Sequence, residues 1–129
     1  MPVLGISHYN IRLEKSLMEE VRQFYISAVG LEVGPRPAFR SLGYWLYAGG
    51  RDLLHLTEER VDDTRRKGSD LTFDHVAFEC TDLAAFKTRL ETLAVQFTEK
   101  AVPQTGKTQL FFRDPAGNGV ELIFPCGQV

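Results

Sequence analysis

The sequence is poor in the residues that cross-link chains, anchor them in lipid or gather polyanions. It holds only two cysteines, Cys80 and Cys126, and they form no CxxC pair. That argues against a disulfide framework and a structural thiolate zinc site, and favours a core thiol and a tail thiol as the expected roles. No apolar run approaches the ~18 residues that a membrane-spanning helix needs, and the start from Met1 to His8 lacks the basic and apolar segments of a secretion signal. A net charge of -2 gives no field that would collect nucleic acid or an anionic membrane. A cytoplasmic protein without nucleic-acid or membrane partners is expected. With 129 residues, 43% of them hydrophobic, the chain suits one well-cored domain and is too short for two independent ones.

Histidine is also scarce, and its placement is informative. The three histidines are His8, His55 and His75. His8 and His55 are 47 positions apart, and His75 and Glu121 are 46 apart, so the chain reads as a unit of roughly 66 residues written twice. Each copy carries two side chains of metal-ligating type at matching places.

Each copy shows the same order of elements. In the first, Leu4 to Leu13 reads as a strand, and Ser16 with Glu19 forms a capping box at the start of a helix. The helix has an apolar stripe of Leu17, Val21, Phe24, Tyr25 and Ala28, and Gly30 stops it. Strands follow at 31–33, 44–47 and 53–57, the last two joined by a Gly49-Gly50 turn. In the second, a strand at 73–80 leads to a helix from Asp82 with the stripe Leu83, Phe86, Leu90 and Leu93. Strands at 95–99, 109–113 and 120–124 complete it, with Asn118-Gly119 as a type I′ hairpin signal. The mixed charge run from Glu58 to Asp70 reads as a solvated linker. Module 1 is thus about 1–58 and module 2 about 72–126, within one domain, 1–129.

Alternation along strands decides where the ligand candidates point. Val76, Phe78 and Cys80 share the helix side and His75, Ala77 and Glu79 the other. Val120, Leu122 and Phe124 pack while Glu121 faces away, and Leu54 and Leu56 pack while His55 and Thr57 face away. A single strand histidine is commonly just a satisfied polar group. A carboxylate set inward between Val120 and Leu122 is harder to accommodate, because an unpaired buried carboxylate costs several kcal/mol and calls for a cation or a proton. Three histidines and this carboxylate at duplicated positions together point to a metal.

The segments from His8 to Ile11, Phe24 to Val33, Asp74 to Glu79 and Phe111 to Leu122 resemble the vicinal oxygen chelate superfamily, also called the glyoxalase/bleomycin-resistance/extradiol-dioxygenase family, over nearly the whole chain. The resemblance implies an α+β fold in which two tandem βαβββ modules pair into a partly open mixed β-barrel with helices outside. It implies one divalent metal ion held by His8, His55, His75 and Glu121, the ion being Zn, Ni, Co, Mn or Fe. His55 falls on the position that varies most among such proteins. Relatives of this kind are often homodimers, with the site formed within one chain or across two.

Ligand number bears on the reaction. Four protein ligands on a six-coordinate ion leave two positions, enough for two adjacent substrate oxygens to chelate and for an enediolate to form on loss of an α-proton. That favours glyoxalase-like isomerase, epimerase or lyase chemistry on a small oxygenated carbon acid. If His55 stays off the metal, His8, His75 and Glu121 form a 2-His-1-carboxylate face suited to an extradiol-type Fe(II) dioxygenase. A metal-containing binding or resistance protein without turnover is the third reading. Glu121 and Glu79 are the acid-base candidates, although Glu79 is also a candidate ion-pair partner of Arg12, its repeat mate. The loop 34–43 brings Phe39 and Arg40 to the expected substrate pocket, with Arg12, Trp45, Tyr47 and Arg113; Arg36 is a further loop cation.

Overall fold

The computed structural model describes residues 3–63 and 73–127, so the later part of the charged run, 64–70, lies outside the described residues. The chain forms two compact units, residues 1–65 and 66–129. The fold class is α+β, and the two units share one plan.

In the first unit β1 (Tyr9–Leu13) leads into α1 (Lys15–Phe24), which passes into a π-helical turn at Tyr25–Val29; β2 (Glu32–Gly34), β3 (Gly43–Ala48) and β4 (Arg51–Glu58) follow. The sheet order is β1-β4-β3-β2. β1 runs parallel to β4, and the other pairs are antiparallel. The second unit repeats this with β5 (His75–Glu79), α2 (Leu83–Thr92), β6 (Thr98–Ala101), β7 (Thr108–Arg113) and β8 (Gly119–Phe124), in the order β5-β8-β7-β6. The parallel pair is again first strand to last. Each sheet is open, and α1 lies against β1 and β4.

The core of the first unit is Leu13, Met18, Val21, Tyr25, Ala28, Leu46, Leu54 and Leu56, all buried. The expected stripe holds at Val21, Tyr25 and Ala28, while Met18 takes the buried place assigned to Leu17 and Phe24 is half-buried. The helix begins at Lys15, before Ser16, and the amides of Gly30 and Leu31 both donate to the Tyr25 carbonyl (3.0 and 2.9 Å), which widens the last turn. The capping box is not made. Glu14 is the N-cap with no side-chain cap bond, and Glu19 pairs with Arg22 one turn on, where the guanidinium holds its carboxyl below the ordinary range. Gly30 closes the helix at φ 95°, as expected.

β1 is shorter than the expected 4–13. Parallel pairing sets Tyr9 opposite Leu54, and just beyond it the β3–β4 register shift at Leu53 breaks the regular edge of β4. Val3, Leu4 and Ile6 remain exposed. Both glycines of the Gly49-Gly50 turn have positive φ, 59° and 77°, as a type I′ turn requires.

In the second unit the Asp82 carboxylate caps α2 by accepting from the Ala85 amide at 3.2 Å. Leu83 and Leu90 are buried, and Phe86 packs edge-on against Phe124 at 5.6 Å. Leu93 is exposed because the helix ends before it: Ala94 turns to φ 56° and the Val95 amide returns to the Leu90 carbonyl. This use of Val95 moves the next strand from the expected 95–99 to Thr98–Ala101. The β7–β8 turn also differs. Asp114 accepts from the amides of Ala116 and Asn118, both at 2.9 Å, and Gly117, not Asn118, supplies the positive φ of 89°. Pro115 after Asp114 and Gly117 at the left-handed position make a type I turn with a glycine bulge, which outcompetes the Asn-Gly hairpin.

Gly119 holds the start of β5 against β8. A Cβ there would lie 2.3 Å from the Asp74 carbonyl oxygen and 2.9 Å from the His75 Cβ. Gly119→Ala is expected to cost about 1–3 kcal/mol through this overlap. Urea unfolding of metal-free protein checks it, and no loss of stability would contradict the close approach.

Candidate functional site

In the first unit the site grows from the β1–β4 pair. His8 directly precedes β1 and His55 sits on β4, and their rings stack with centroids 3.8 Å apart and planes 14° from parallel. Trp45 is the register partner of His55 on β3 and covers its other face at 4.1 Å and 7°. Phe39 meets Trp45 at 6.4 Å, and the Arg36 guanidinium lies 4.8 Å over Phe39. His55 is buried, 7% exposed, inside this column of rings.

A residue absent from the expected set joins it. The Asp52 carboxylate Oδ2 is 2.7 Å from His55 Nε2. The hydrogen bond from His55 holds the Asp52 carboxyl below its usual range, with the charges of His55 and His8 adding to the effect. The contact therefore persists at neutral pH and is lost only in acid, as pH falls through that lowered value. His8, Asp52 and His55 each offer a donor atom, and these atoms all lie within 4.8 Å of one another.

In the second unit the pair is His75 on β5 and Glu121 on β8, with His75 Nε2 3.0 Å from Glu121 Oε1. Gln109 on β7 donates to Glu121 Oε2 at 3.0 Å, and Glu121 is only 5% exposed. Phe111, opposite Glu121 in register, presents its ring edge-to-face to His75 at 6.0 Å. The Asp74 carboxylate lies 2.7 Å from the other ring nitrogen, Nδ1. A neutral imidazole carries one N–H and one lone pair, so with carboxylates at both nitrogens one contact is lone pair against lone pair. A further proton, on the imidazole or on a carboxylate, or a metal ion is needed there.

The two units repeat one further detail. The residue before each first-strand histidine holds its Nδ1: Ser7 Oγ at 3.0 Å from His8, Asp74 Oδ2 at 2.7 Å from His75. Such partners fix the ring and leave Nε2 as the outward donor, the arrangement found around metal-ligating histidines.

The remaining candidates are placed as follows. Phe39 and Trp45 join the His55 column. Tyr47 donates its hydroxyl to the Pro35 carbonyl at 2.6 Å, and Arg40 is exposed. Arg12 donates to the Glu58 carbonyl at 3.0 Å, near the end of β1 away from His8, and Arg113 donates to the Gly117 carbonyl at 3.0 Å. Arg36 bonds Ser41 within its own loop. Glu79 pairs with Ile123 at the far end of β5, about 13 Å along the strand from His75 at the usual rise. There it lines a cavity of about 410 Å³ with Cys80 and Lys107. Burial pushes the Cys80 thiol up to about 11, as befits a packed thiol, while Cys126 is exposed. Among the described residues no helix is long and apolar enough to cross a membrane.

The sequence matches the family described as the Glyoxalase/Bleomycin resistance protein/Dioxygenase superfamily over residues 5–122. The chain belongs to this family. No curated protein matches it at a significant level. Among solved structures, it is similar to a glyoxalase family protein from Bacillus anthracis, with TM-score 0.77 and 23% identity over 97% of this chain and 98% of that one. It is similar to lactoylglutathione lyase from Agrobacterium tumefaciens, with TM-score 0.68 and 24% identity over 96% of each chain. A third similar structure is a glutamate-to-glutamine mutant of the fosfomycin resistance protein FosX from Listeria monocytogenes, complexed with Mn(II) and 1S,2S-dihydroxypropylphosphonic acid, with TM-score 0.72 and 17% identity over 98% of this chain and 95% of that one. These likenesses establish the fold. The family's description spans enzymes and a resistance protein.

Gln109 is one of two partners that keep Glu121 satisfied in a buried setting. Gln109→Leu is expected to cost about 1–3 kcal/mol when metal is removed with a chelator. Urea unfolding with chelator present checks this, and an unchanged stability would show that Glu121 does not depend on that bond.

Proposed function

We propose that the protein is a divalent-metal-dependent, glyoxalase-like enzyme that carries out isomerase, epimerase or lyase chemistry on a small oxygenated carbon acid. The carrying observation is the contact of His75 Nε2 with the buried Glu121 carboxylate while Nδ1 faces Asp74, a geometry that calls for a further proton or a metal ion. The donor types fit a divalent ion: imidazoles with outward Nε2 atoms and a buried carboxylate suit Mn, Fe, Co, Ni and Zn. His8, His55, His75 and Glu121 are the proposed ligands. FosX, a structural relative of the same fold, was solved with Mn(II), which supports the metal reading.

When bound, the ion would supply Lewis acidity to two adjacent substrate oxygens. The chain's own residues would do the rest. Glu121 is the proposed acid-base group, because its second oxygen is already engaged by Gln109, so a hydrogen bond stays with the carboxylate as it takes or returns a proton. Glu79 is a poorer choice on distance. Trp45 and Phe39 would give the substrate an apolar wall beside His55.

A second reading rests on a specific contact. His55 is clamped between two rings and bonded to Asp52, so a site in which it stays off the ion leaves His8, His75 and Glu121 as a dioxygenase-type face. Protein incubated with Mn(II), Co(II), Ni(II) or Zn(II) and desalted is expected to retain about one ion per chain, and retention of none would contradict the proposal. His55→Ala is expected to weaken metal retention in the isomerase or lyase reading; unchanged Fe(II) retention with catechol-dependent oxygen uptake would favour the dioxygenase. Exchange of α-protons in hemithioacetals or thioesters is the activity that the first reading predicts.

A further inference from the structure

We infer that Asp52 is a third donor of the first unit, so that His8, Asp52 and His55 present two imidazoles and one carboxylate to the divalent ion. The inference rests on the metal reading above; with a fifth protein ligand one position would stay open, so the second substrate oxygen would enter by displacing the Asp52 carboxylate.

Simple strand alternation would set Asp52 with Leu54 and Leu56, on the side that packs against α1. The β3–β4 register prevents this. Leu46 faces Leu54, but the next residue, Tyr47, faces Asp52, so Leu53 is an extra residue on β4. A bulge of this kind re-aims the side chains before it. Here it turns Asp52 to the side of His55, where the two side chains meet at 2.7 Å. The adjoining Gly49-Gly50 turn fixes the entry to β4, and Trp45, stacked on the far face of His55, keeps the ring from turning away from Asp52.

The spacing is that of donors around one ion. With bonds of about 2.1 Å, neighbouring donors on a six-coordinate ion are about 3 Å apart and opposite ones about 4.2 Å. Asp52 Oδ2 and His55 Nε2, at 2.7 Å, have the separation of neighbours once an ion replaces the proton they share. The donor atoms of His8, Asp52 and His55 fall within 4.8 Å of one another, so small side-chain rotations bring them onto one centre. A carboxylate among the donors would offset part of the charge of a divalent ion and favour ions that accept oxygen, such as Mn(II), Fe(II) and Co(II), over softer ones.

Cobalt titration of the full-length protein, followed by visible absorption, tests the inference. Asp52→Asn keeps an oxygen that can accept from His55 Nε2, so it preserves a purely orienting hydrogen bond while removing the carboxylate donor. It is expected to weaken Co(II) binding at least about a hundredfold, beyond the 10–100-fold range that loss of an outer hydrogen-bond partner produces. Asp52→Cys provides the second readout: with Co(II) it is expected to show a thiolate-to-cobalt charge-transfer band that the wild-type protein, with Cys80 and Cys126, does not. Circular dichroism of the metal-free variants confirms folding, and the cysteine variant carries the test if the asparagine variant does not fold. Wild-type protein that binds Co(II), with an asparagine variant that binds equally well or a folded cysteine variant without the band, overturns the inference and leaves the metal reading standing. Wild-type protein that binds no Co(II) overturns both.

Discussion

The parallel pairing of the first and last strand in each unit is the constraint on which the rest depends. β1 lies beside β4 and β5 beside β8, so residues nearly fifty positions apart become neighbours. This register brings the His8 ring onto His55 and Glu121 within hydrogen-bond distance of His75. A parallel pair needs a long crossover to return the chain, and in each unit the helix lies within that connection. The helix and the ligand pair are thus two results of one topological choice: apolar residues of the last strand turn to the core, and the residues between them carry the chemistry.

Burial sets the stakes of that arrangement. Glu121 sits between Val120 and Leu122, both essentially inaccessible, and a carboxylate there must be compensated. Gln109 and His75 engage one oxygen each, and Asp74 behind His75 adds further negative charge to the same imidazole. A scaffold selected for stability alone would fill position 121 with an apolar residue, since a half-compensated polar cluster is worse than none. The cost is understandable if the cluster exists to hold a cation.

Much of this was legible in the sequence because it follows from period. Alternation along β4, β5 and β8 placed Leu54, Phe78, Val120 and Leu122 in the core, and His55 and Glu121 on the opposite side. Gly30, Gly49-Gly50 and Asp82 announced their turns and cap through ordinary glycine and aspartate chemistry. What stayed hidden depended on one-residue shifts. Met18 rather than Leu17 fills the first place of the α1 stripe, and the bulge at Leu53 moved Asp52 across the sheet to His55. Neither has a strong sequence signal, since both are settled by packing. Ser7 and Asp74 could have been suspected from their positions just before His8 and His75. Arg12, Arg36 and Arg113 each bond a main-chain carbonyl, a use that the sequence does not announce.

The central claim is that these side chains surround a metal ion. X-ray absorption at the metal edge of Mn(II)- or Co(II)-loaded protein tests it most directly. The account predicts a first shell of nitrogen and oxygen at about 2.0–2.2 Å with the outer-shell scattering of several imidazoles. A shell of oxygen alone, with no imidazole scattering, would show an ion held by water and surface carboxylates, and would contradict it.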